Sequence, residues 1–221
     1  MKLLWNALIK FTVGFLLVGA LLFFPAGELS YMNGWLFIGL LFPPMLILGA
    51  VLLIKAPSLL EKRLGAKERE TTQKGVVAVS ALLFIAGFIV AGLDHRFGWS
   101  HVPFWLVAVA SIVLLVSYAL YAEVMRENAY LSRTVEVQKG QRVIDSGLYG
   151  IVRHPMYSAT VLLFLAMPLV LGSLVSFVVF LAYPVLIAAR IRSEEAFLEK
   201  ELPGYREYKQ KVKYRLIPFV W

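Results

Sequence analysis

Apolar runs of membrane-spanning length constrain the fold of this chain more than any other feature of its sequence. A transmembrane helix needs about 20 consecutive, mostly apolar residues to cross the hydrocarbon core of a bilayer. Four runs near this length lie at residues 8–24, 35–54, 76–93 and 103–122. The hydrophobic fraction of the chain is 60%, whereas soluble domains lie at about 45–50%. We therefore predict an integral membrane protein built as one compact bundle.

A fifth apolar region, residues 157–189, is interrupted by Gly172 and Ser173. If it forms two helices, each has about 15 residues and is roughly 22 Å long, which is shorter than the hydrocarbon core of about 30 Å. We predict a tight hairpin that is partly buried against the other helices. One tilted span with a re-entrant piece is the alternative. The predicted fold class is an all-α, polytopic transmembrane helix bundle of about six spans, the last two forming the hairpin, with cytoplasmic C-terminal helices.

The positions of the basic residues predict the orientation of this bundle. All but one of the 22 Lys and Arg residues lie near the N-terminus, in the connections 55–74 and 123–156, or after residue 189. The exception, Arg96, lies in a connection on the opposite side. Because cytoplasmic loops are enriched in Lys and Arg, we predict that both termini are cytoplasmic. The net charge of +8 then reflects topology and attraction to anionic membrane lipids, and we expect no nucleic-acid binding.

The residue types present exclude several kinds of site. The chain has no cysteine, which excludes disulfides, thiolate catalysis and zinc–thiolate sites. Asp94, His95 and His101 lie close together in the sequence, but their spacing matches no helical ligand pattern. We therefore predict no metal site.

The polar segment before the hairpin contains the main candidate for a functional site. Residues 147–157 read Gly-Leu-Tyr-Gly-Ile-Val-Arg-His-Pro-Met-Tyr and lie at the edge of an apolar span. Charged side chains are costly to place there, so the segment is a functional-site candidate. The alternative is a juxtamembrane loop in which Arg153 and the tyrosines are interface anchors and Pro155 begins the next helix.

A hairpin brings its two ends together, so Arg153 and His154 are predicted to lie close to Arg190 and Glu194. Arg190 and Glu194 share a helix face, whereas Glu195 is turned about 100° away. The resulting polar site at the membrane edge suits a reaction between a water-soluble reagent and a lipid-like substrate. The predicted site has no thiol and no metal ligand set, so its catalytic contribution would be positioning and desolvation. Group transfer from an activated cofactor fits these limits best. The alternative for Arg190 and Glu194 is a plain ion pair worth about 0.3 kcal/mol.

Three motifs lie after residue 120. They are Gly-x-Tyr-x-x-x-Arg-His-Pro-x-Tyr at 147–157, Arg-x-x-x-Glu-Glu-x-x-Leu at 190–198, and Tyr-x-x-Tyr at 205–208 followed by Arg215-x-x-Pro218. Together they resemble the isoprenylcysteine carboxyl methyltransferases and the wider group that includes phospholipid N-methyltransferases. The resemblance implies N-terminal transmembrane helices at 1–122 and a methyltransferase-like catalytic region at 123–221.

The resemblance also implies a cofactor and a set of site residues. The methyl donor would be S-adenosylmethionine, bound in a cytoplasmic pocket around the hairpin. The implied cofactor-binding residues are Gln141, Arg142, Val143, Ile144, Tyr149, His154, Pro155, Met156, Tyr157 and Glu194. Arg190 would face the substrate, and Arg190 and Glu194 are the predicted catalytic residues. We accordingly expect a multi-pass methyltransferase of the bacterial inner membrane that acts on an isoprenylcysteine-like carboxylate or a lipid.

The chain departs from the eukaryotic prenylcysteine enzymes at two places. They usually carry His where this chain has Gln141, and an acidic run where it has Arg192 and Ser193. The acceptor therefore stays open. Two other functions compete with methyl transfer: an NADPH-dependent membrane reductase of the sterol-reductase type, and a non-enzymatic membrane subunit.

Overall fold

The computed structural model of the protein describes residues 2–65, 71–132 and 136–221. Within these ranges the chain forms nine α-helices, one 3₁₀ turn at Gly147–Gly150 and no strand. The helices are α1 (Lys2–Ala26), α2 (Met32–Lys55), α3 (Pro57–Gly65), α4 (Thr71–Phe97), α5 (Phe104–Glu127), α6 (Pro155–Val170), α7 (Leu174–Phe180), α8 (Ala182–Glu201) and α9 (Tyr205–Lys211). The predicted all-α fold is confirmed.

Five helical segments of the described chain are long and apolar enough to cross a membrane. They are Lys2–Ala26, Met32–Lys55, Lys74–Phe97, Phe104–Glu127 and Leu174–Glu201, the last of which joins α7 to α8. Helix α6 is apolar as well but has only 16 residues. The polytopic bundle is thus confirmed, with five long segments and one short helix in place of about six similar spans. The assignment of its basic side to the cytoplasm stays a prediction.

The hairpin turns where the sequence predicted it, at Gly172 and Ser173. Gly172 has a φ of +78°, a left-handed conformation that glycine adopts without steric cost. The two limbs differ in length: α6 has 16 residues, whereas the return limb Leu174–Glu201 has 28. The return limb exceeds the predicted 15 or so residues because α8 continues past the apolar region to Glu201.

A buried carboxylate holds the tip of this hairpin. Asp94, at the end of α4, is 1% exposed and accepts hydrogen bonds from the Ser100 backbone N–H at 2.7 Å and from the hydroxyls of Ser100 and Ser173. The Tyr31 hydroxyl donates to the Leu171 carbonyl at 2.5 Å. The tip is therefore tied to the α1–α2 and α4–α5 connections at the end of the bundle away from α3 and α9.

Apolar side chains from six helices form the core below this tip. The largest buried cluster includes Leu22, Phe37, Phe88, Leu114, Leu163 and Phe180. Helix α6 packs along α5, while α7 and α8 pack against α4. At the opposite end of the bundle, α4, α6 and α8 leave space between them, and the polar segments 128–132, 136–154 and 202–208 close over it.

We expect Asp94→Ala to destabilise the protein by about 1–3 kcal/mol, because the buried Ser173 hydroxyl and the partly buried donors of Ser100 would lose their acceptor. Thermal unfolding in detergent, followed by tryptophan fluorescence, measures the change. Ser111→Ala is the control and should cause a smaller loss, since its hydroxyl donates within α5 to the Val107 carbonyl and does not contact Asp94. An unchanged unfolding midpoint for Asp94→Ala would show that the carboxylate does not hold the tip.

Candidate active site

The segment that begins the candidate site is docked on the end of α5. Gly147 has a φ of +53°, and a Cβ added there would lie 1.4 Å from a carboxylate oxygen of Glu127. That carboxylate accepts a hydrogen bond from the Leu148 backbone N–H at 3.0 Å. Two residues on from Gly147, the buried Tyr149 accepts a hydrogen bond from the Asn128 side-chain amide at 2.9 Å. Glycine is therefore favoured at this position, because it adopts the positive φ without strain and leaves room for the Glu127 carboxylate.

The same segment pairs with the C-terminal part of the chain through its backbone. The N–H groups of Arg153 and His154 donate to the carbonyls of Tyr214 and Arg215, each at 2.9 Å. Pro155 then begins α6, where its missing N–H leaves no intrahelical hydrogen bond unmade. These contacts fix the direction in which the Arg153 and His154 side chains leave the backbone.

The side chains of Arg153 and His154 both contact a buried carboxylate on α8. Glu195 is 2% exposed, and its Oε1 accepts from Arg153 Nε at 2.7 Å and lies 3.2 Å from His154 Nε2. Its Oε2 accepts from Arg215 Nε at 3.0 Å and lies 3.7 Å from Lys209 Nζ. One carboxylate thus joins the start of α6, α8, α9 and the C-terminal segment. A buried carboxylate is tolerated only when it is paired in this way.

Glu195 is the functional candidate that the sequence analysis missed. The helical rotation of about 100° correctly separates Glu195 from the face of Arg190 and Glu194. The missing step is that a carboxylate turned toward the protein interior needs hydrogen-bond donors and a counter-charge there. Arg153 and His154 were available at the hairpin entrance, and they meet Glu195 rather than Glu194.

A second polar chain connects Arg190 to Glu194. The Tyr157 hydroxyl donates to Glu194 Oε2 at 2.5 Å and accepts from Arg190 Nε at 2.8 Å. The Arg190 guanidinium also lies 5.8 Å from the centre of the Tyr157 ring. The tyrosine therefore bridges the two residues that the sequence predicted as catalytic.

The predicted site residues surround one cavity of about 440 Å³. This volume lies within the range of small-molecule sites, about 300–1,000 Å³. Of the predicted set, the structure brings these residues to its wall: Gln141, Arg142, Val143, Ile144, Tyr149, His154, Met156, Tyr157, Arg190 and Glu194. Pro155 is the exception, because it is buried at the start of α6 and is not part of the wall.

Two tyrosines of α9 complete the polar side of the cavity, and the sequence analysis gave them no role there. The Tyr208 hydroxyl donates to the Tyr149 carbonyl at 2.7 Å. The Tyr205 hydroxyl is buried and has no hydrogen-bond partner among the residues that the structure describes. Burial raises the pKa of Tyr149 to about 12 and also raises the pKa of Tyr205 and of Tyr208. All three hydroxyls therefore stay protonated near neutral pH.

We expect Glu195→Gln to cost about 3–5 kcal/mol of folding free energy, because it leaves buried cationic partners without their counter-charge. Denaturant unfolding of the purified protein measures this loss. Glu199→Gln is the matched control on the same helix: Glu199 pairs with Lys209 at a more exposed position, so its loss should cost less than about 1 kcal/mol. Equal losses for the two variants would contradict a central role for Glu195.

Comparison with known proteins gives a family match for much of this region. Residues 106–200 match the isoprenylcysteine carboxyl methyltransferase (ICMT) family. The chain is 33% identical over 91 residues to Delta(14)-sterol reductase TM7SF2 of Mus musculus, an alignment that covers 40% of this chain and 22% of that protein. It is 28% identical over 97 residues to the uncharacterized protein YpbQ of Bacillus subtilis (strain 168), covering 43% of this chain and 58% of YpbQ.

The chain thus aligns with less than two thirds of the length of either relative. The family match includes α6, α7 and most of α8, with the bridge from Arg190 to Glu194 and the buried Glu195. Over residues 106–200, the part of the chain that carries this geometry is similar to the isoprenylcysteine carboxyl methyltransferase family.

Proposed function

We propose that this protein is a membrane methyltransferase that uses S-adenosylmethionine as its donor and methylates a lipophilic acceptor at the membrane edge. The observation that carries the proposal is the composition of its cavity, which joins a polar end to an apolar end. The polar wall comes from the 3₁₀ turn, the start of α6, Glu194 and α9. The apolar wall comes from α4, α6 and α8, through Val76, Ala81, Phe84, Phe164 and Ile187.

The apolar end lies within helices of membrane-spanning character. Val76, Ala81 and Phe84 follow one face of α4, while Phe164 lies on α6, ten residues beyond His154. At 1.5 Å per residue, this separation places Phe164 roughly 15 Å along the helix from the polar end. Phe164 packs against Phe84 and Tyr183 at ring-centre distances of 4.5 and 4.3 Å. An apolar chain could therefore enter between α4, α6 and α8 until it meets these rings.

The chemistry of the polar wall fits S-adenosylmethionine. Glu194 and the faces of Tyr149 and Tyr157 suit cationic ammonium and sulfonium groups. Gln141 and Arg142 offer donors for the carboxylate and for polar atoms of the nucleoside. When bound, this cofactor supplies an activated methyl group on a positively charged sulfur.

Arg190 and Glu194 have distinct roles in this proposal. The Arg190 guanidinium orients an anionic acceptor, and Tyr157 holds it in place through the hydrogen bond to Nε. Glu194 binds the donor from the other end of the same bridge. Methyl transfer needs an in-line approach of acceptor and donor, and a wall that excludes water while fixing both partners can supply much of the rate.

We expect Glu194→Ala to weaken binding of S-adenosylmethionine at least tenfold, because it removes a charge-assisted contact. Arg190→Ala should bind the donor with nearly the affinity of the parent and lose methyl transfer. Isothermal titration with S-adenosylhomocysteine measures binding, and transfer of label from tritiated donor to membrane lipids measures activity. Glu199→Ala serves as the charge-matched control on α8. Parent protein that binds neither donor nor product would contradict the proposal.

Filling the apolar end should separate donor binding from acceptor binding. We expect Ala81→Trp to retain donor affinity within about threefold and to lower methyl transfer more than tenfold, since the large side chain occupies apolar space that the acceptor needs. Ala78→Trp is the control, because Ala78 lies one turn earlier on α4 and does not line the cavity. Equal activities of the two variants would contradict an acceptor site between α4, α6 and α8.

The similarity to a Delta(14)-sterol reductase favours a second candidate, an NADPH-dependent membrane reductase. The cavity wall includes four arginines, at positions 63, 142, 153 and 190. However, Arg153 is engaged by Glu195 and by the carbonyls of Val212 and Lys213. This leaves less positive charge for the phosphates of NADPH. Titration of one preparation with both cofactors separates the two functions, and a non-enzymatic subunit would bind neither.

A further inference from the structure

Among the side chains that the structure describes, the Tyr205 hydroxyl is the one buried polar atom that lacks a hydrogen-bond partner. Tyr205 is 4% exposed and lies in the wall of the cavity, at the first position of α9. Buried hydroxyls without partners are unfavourable and rare, so each one requires a physical reason. A phenylalanine would fill the same space without this penalty.

The neighbouring tyrosines of the cavity wall show how unusual this hydroxyl is. Tyr208 donates to the Tyr149 carbonyl, Tyr149 accepts from Asn128, and Tyr157 bridges Arg190 and Glu194. Each of these three hydroxyls serves a contact within the protein. Tyr205 is buried, as Tyr149 and Tyr208 are, and it borders the same cavity, so a molecule that enters the cavity lies beside its side chain.

The surroundings of Tyr205 indicate whether its hydroxyl would donate or accept the missing hydrogen bond. Burial and the nearby carboxylates of Glu195 and Glu194 raise the pKa of Tyr205, so the hydroxyl keeps its proton near neutral pH. A protonated phenol is a good hydrogen-bond donor to oxygen and nitrogen acceptors. The missing partner is therefore best supplied by an acceptor atom.

We infer that the Tyr205 hydroxyl donates a hydrogen bond to an acceptor atom of the bound methyl donor. The inference rests on the proposed function, and it adds a contact from α9 to a site otherwise built from residues 141–157 and α8. It also gives α9 a direct role in binding, because the helix then covers the cofactor as well as packing against the 3₁₀ turn.

The test compares Tyr205→Phe with Tyr208→Phe in purified, full-length protein. Affinity for S-adenosylhomocysteine is measured by isothermal titration, and the unfolding midpoint of the ligand-free protein by tryptophan fluorescence. Tyr205→Phe should bind about three- to tenfold more weakly than the parent, with an unchanged or higher midpoint, because it removes a hydroxyl that has no partner within the protein. Tyr208→Phe should lower the midpoint, because its hydroxyl has an internal partner.

Equal affinities of the parent and Tyr205→Phe would overturn the inference while leaving the proposed function intact. A weaker affinity that comes with a fall in midpoint as large as that of Tyr208→Phe would also overturn it, since the hydroxyl would then be structural. If the parent itself shows no binding of S-adenosylhomocysteine, the proposed function fails and the inference fails with it.

Discussion

The carboxylate of Glu195, buried among Arg153, His154 and Arg215, is the interaction on which the site depends. It joins segments that lie far apart in the sequence, because its partners come from the entrance to α6 and from the C-terminal segment. The backbone pairing of 153–154 with 214–215 reinforces the same junction. Glu195 itself does not line the cavity, whereas Arg153 and His154 do. Its role is therefore to hold the wall in place, beside Glu194 and Arg190, which do line the cavity.

Two adjacent glutamates on one helix thus face two different environments. Glu195 points into a junction of cations, and Glu194 points into the cavity, where it meets Tyr157. The helical rotation between consecutive residues produces this division without any irregularity in α8. The buried ion pairs of Glu195 fix one face of α8 and thereby fix the position of Glu194 on the neighbouring face. A site that works by orienting two substrates requires such fixed positions. The Asp94 cluster does the same for the other end of the hairpin.

Much of this architecture follows from the sequence. Apolar runs separated by charged connections predicted the helices, and the Gly172–Ser173 break predicted the turn of the hairpin, which in turn places both polar flanks together. The partners of Glu195 could not be predicted, because they depend on how the segment after α9 folds back along residues 153–158. Pro155 belongs to the predicted site motif, but it begins α6 and does not line the cavity. A residue's place in a motif therefore does not by itself show that the residue lines the site. The cavity position of Tyr205 depends on where the seven-residue helix α9 packs, and the periodicity of the sequence does not reveal that position.

We propose that the polar end of this cavity holds the methyl donor. Ultraviolet cross-linking of tritiated S-adenosylmethionine to the purified protein, followed by mapping of labelled peptides, tests this placement. We expect label in peptides that cover residues 141–157 or 190–208, and competition by S-adenosylhomocysteine. Label confined to residues 1–65, or label that S-adenosylhomocysteine does not displace, would contradict it.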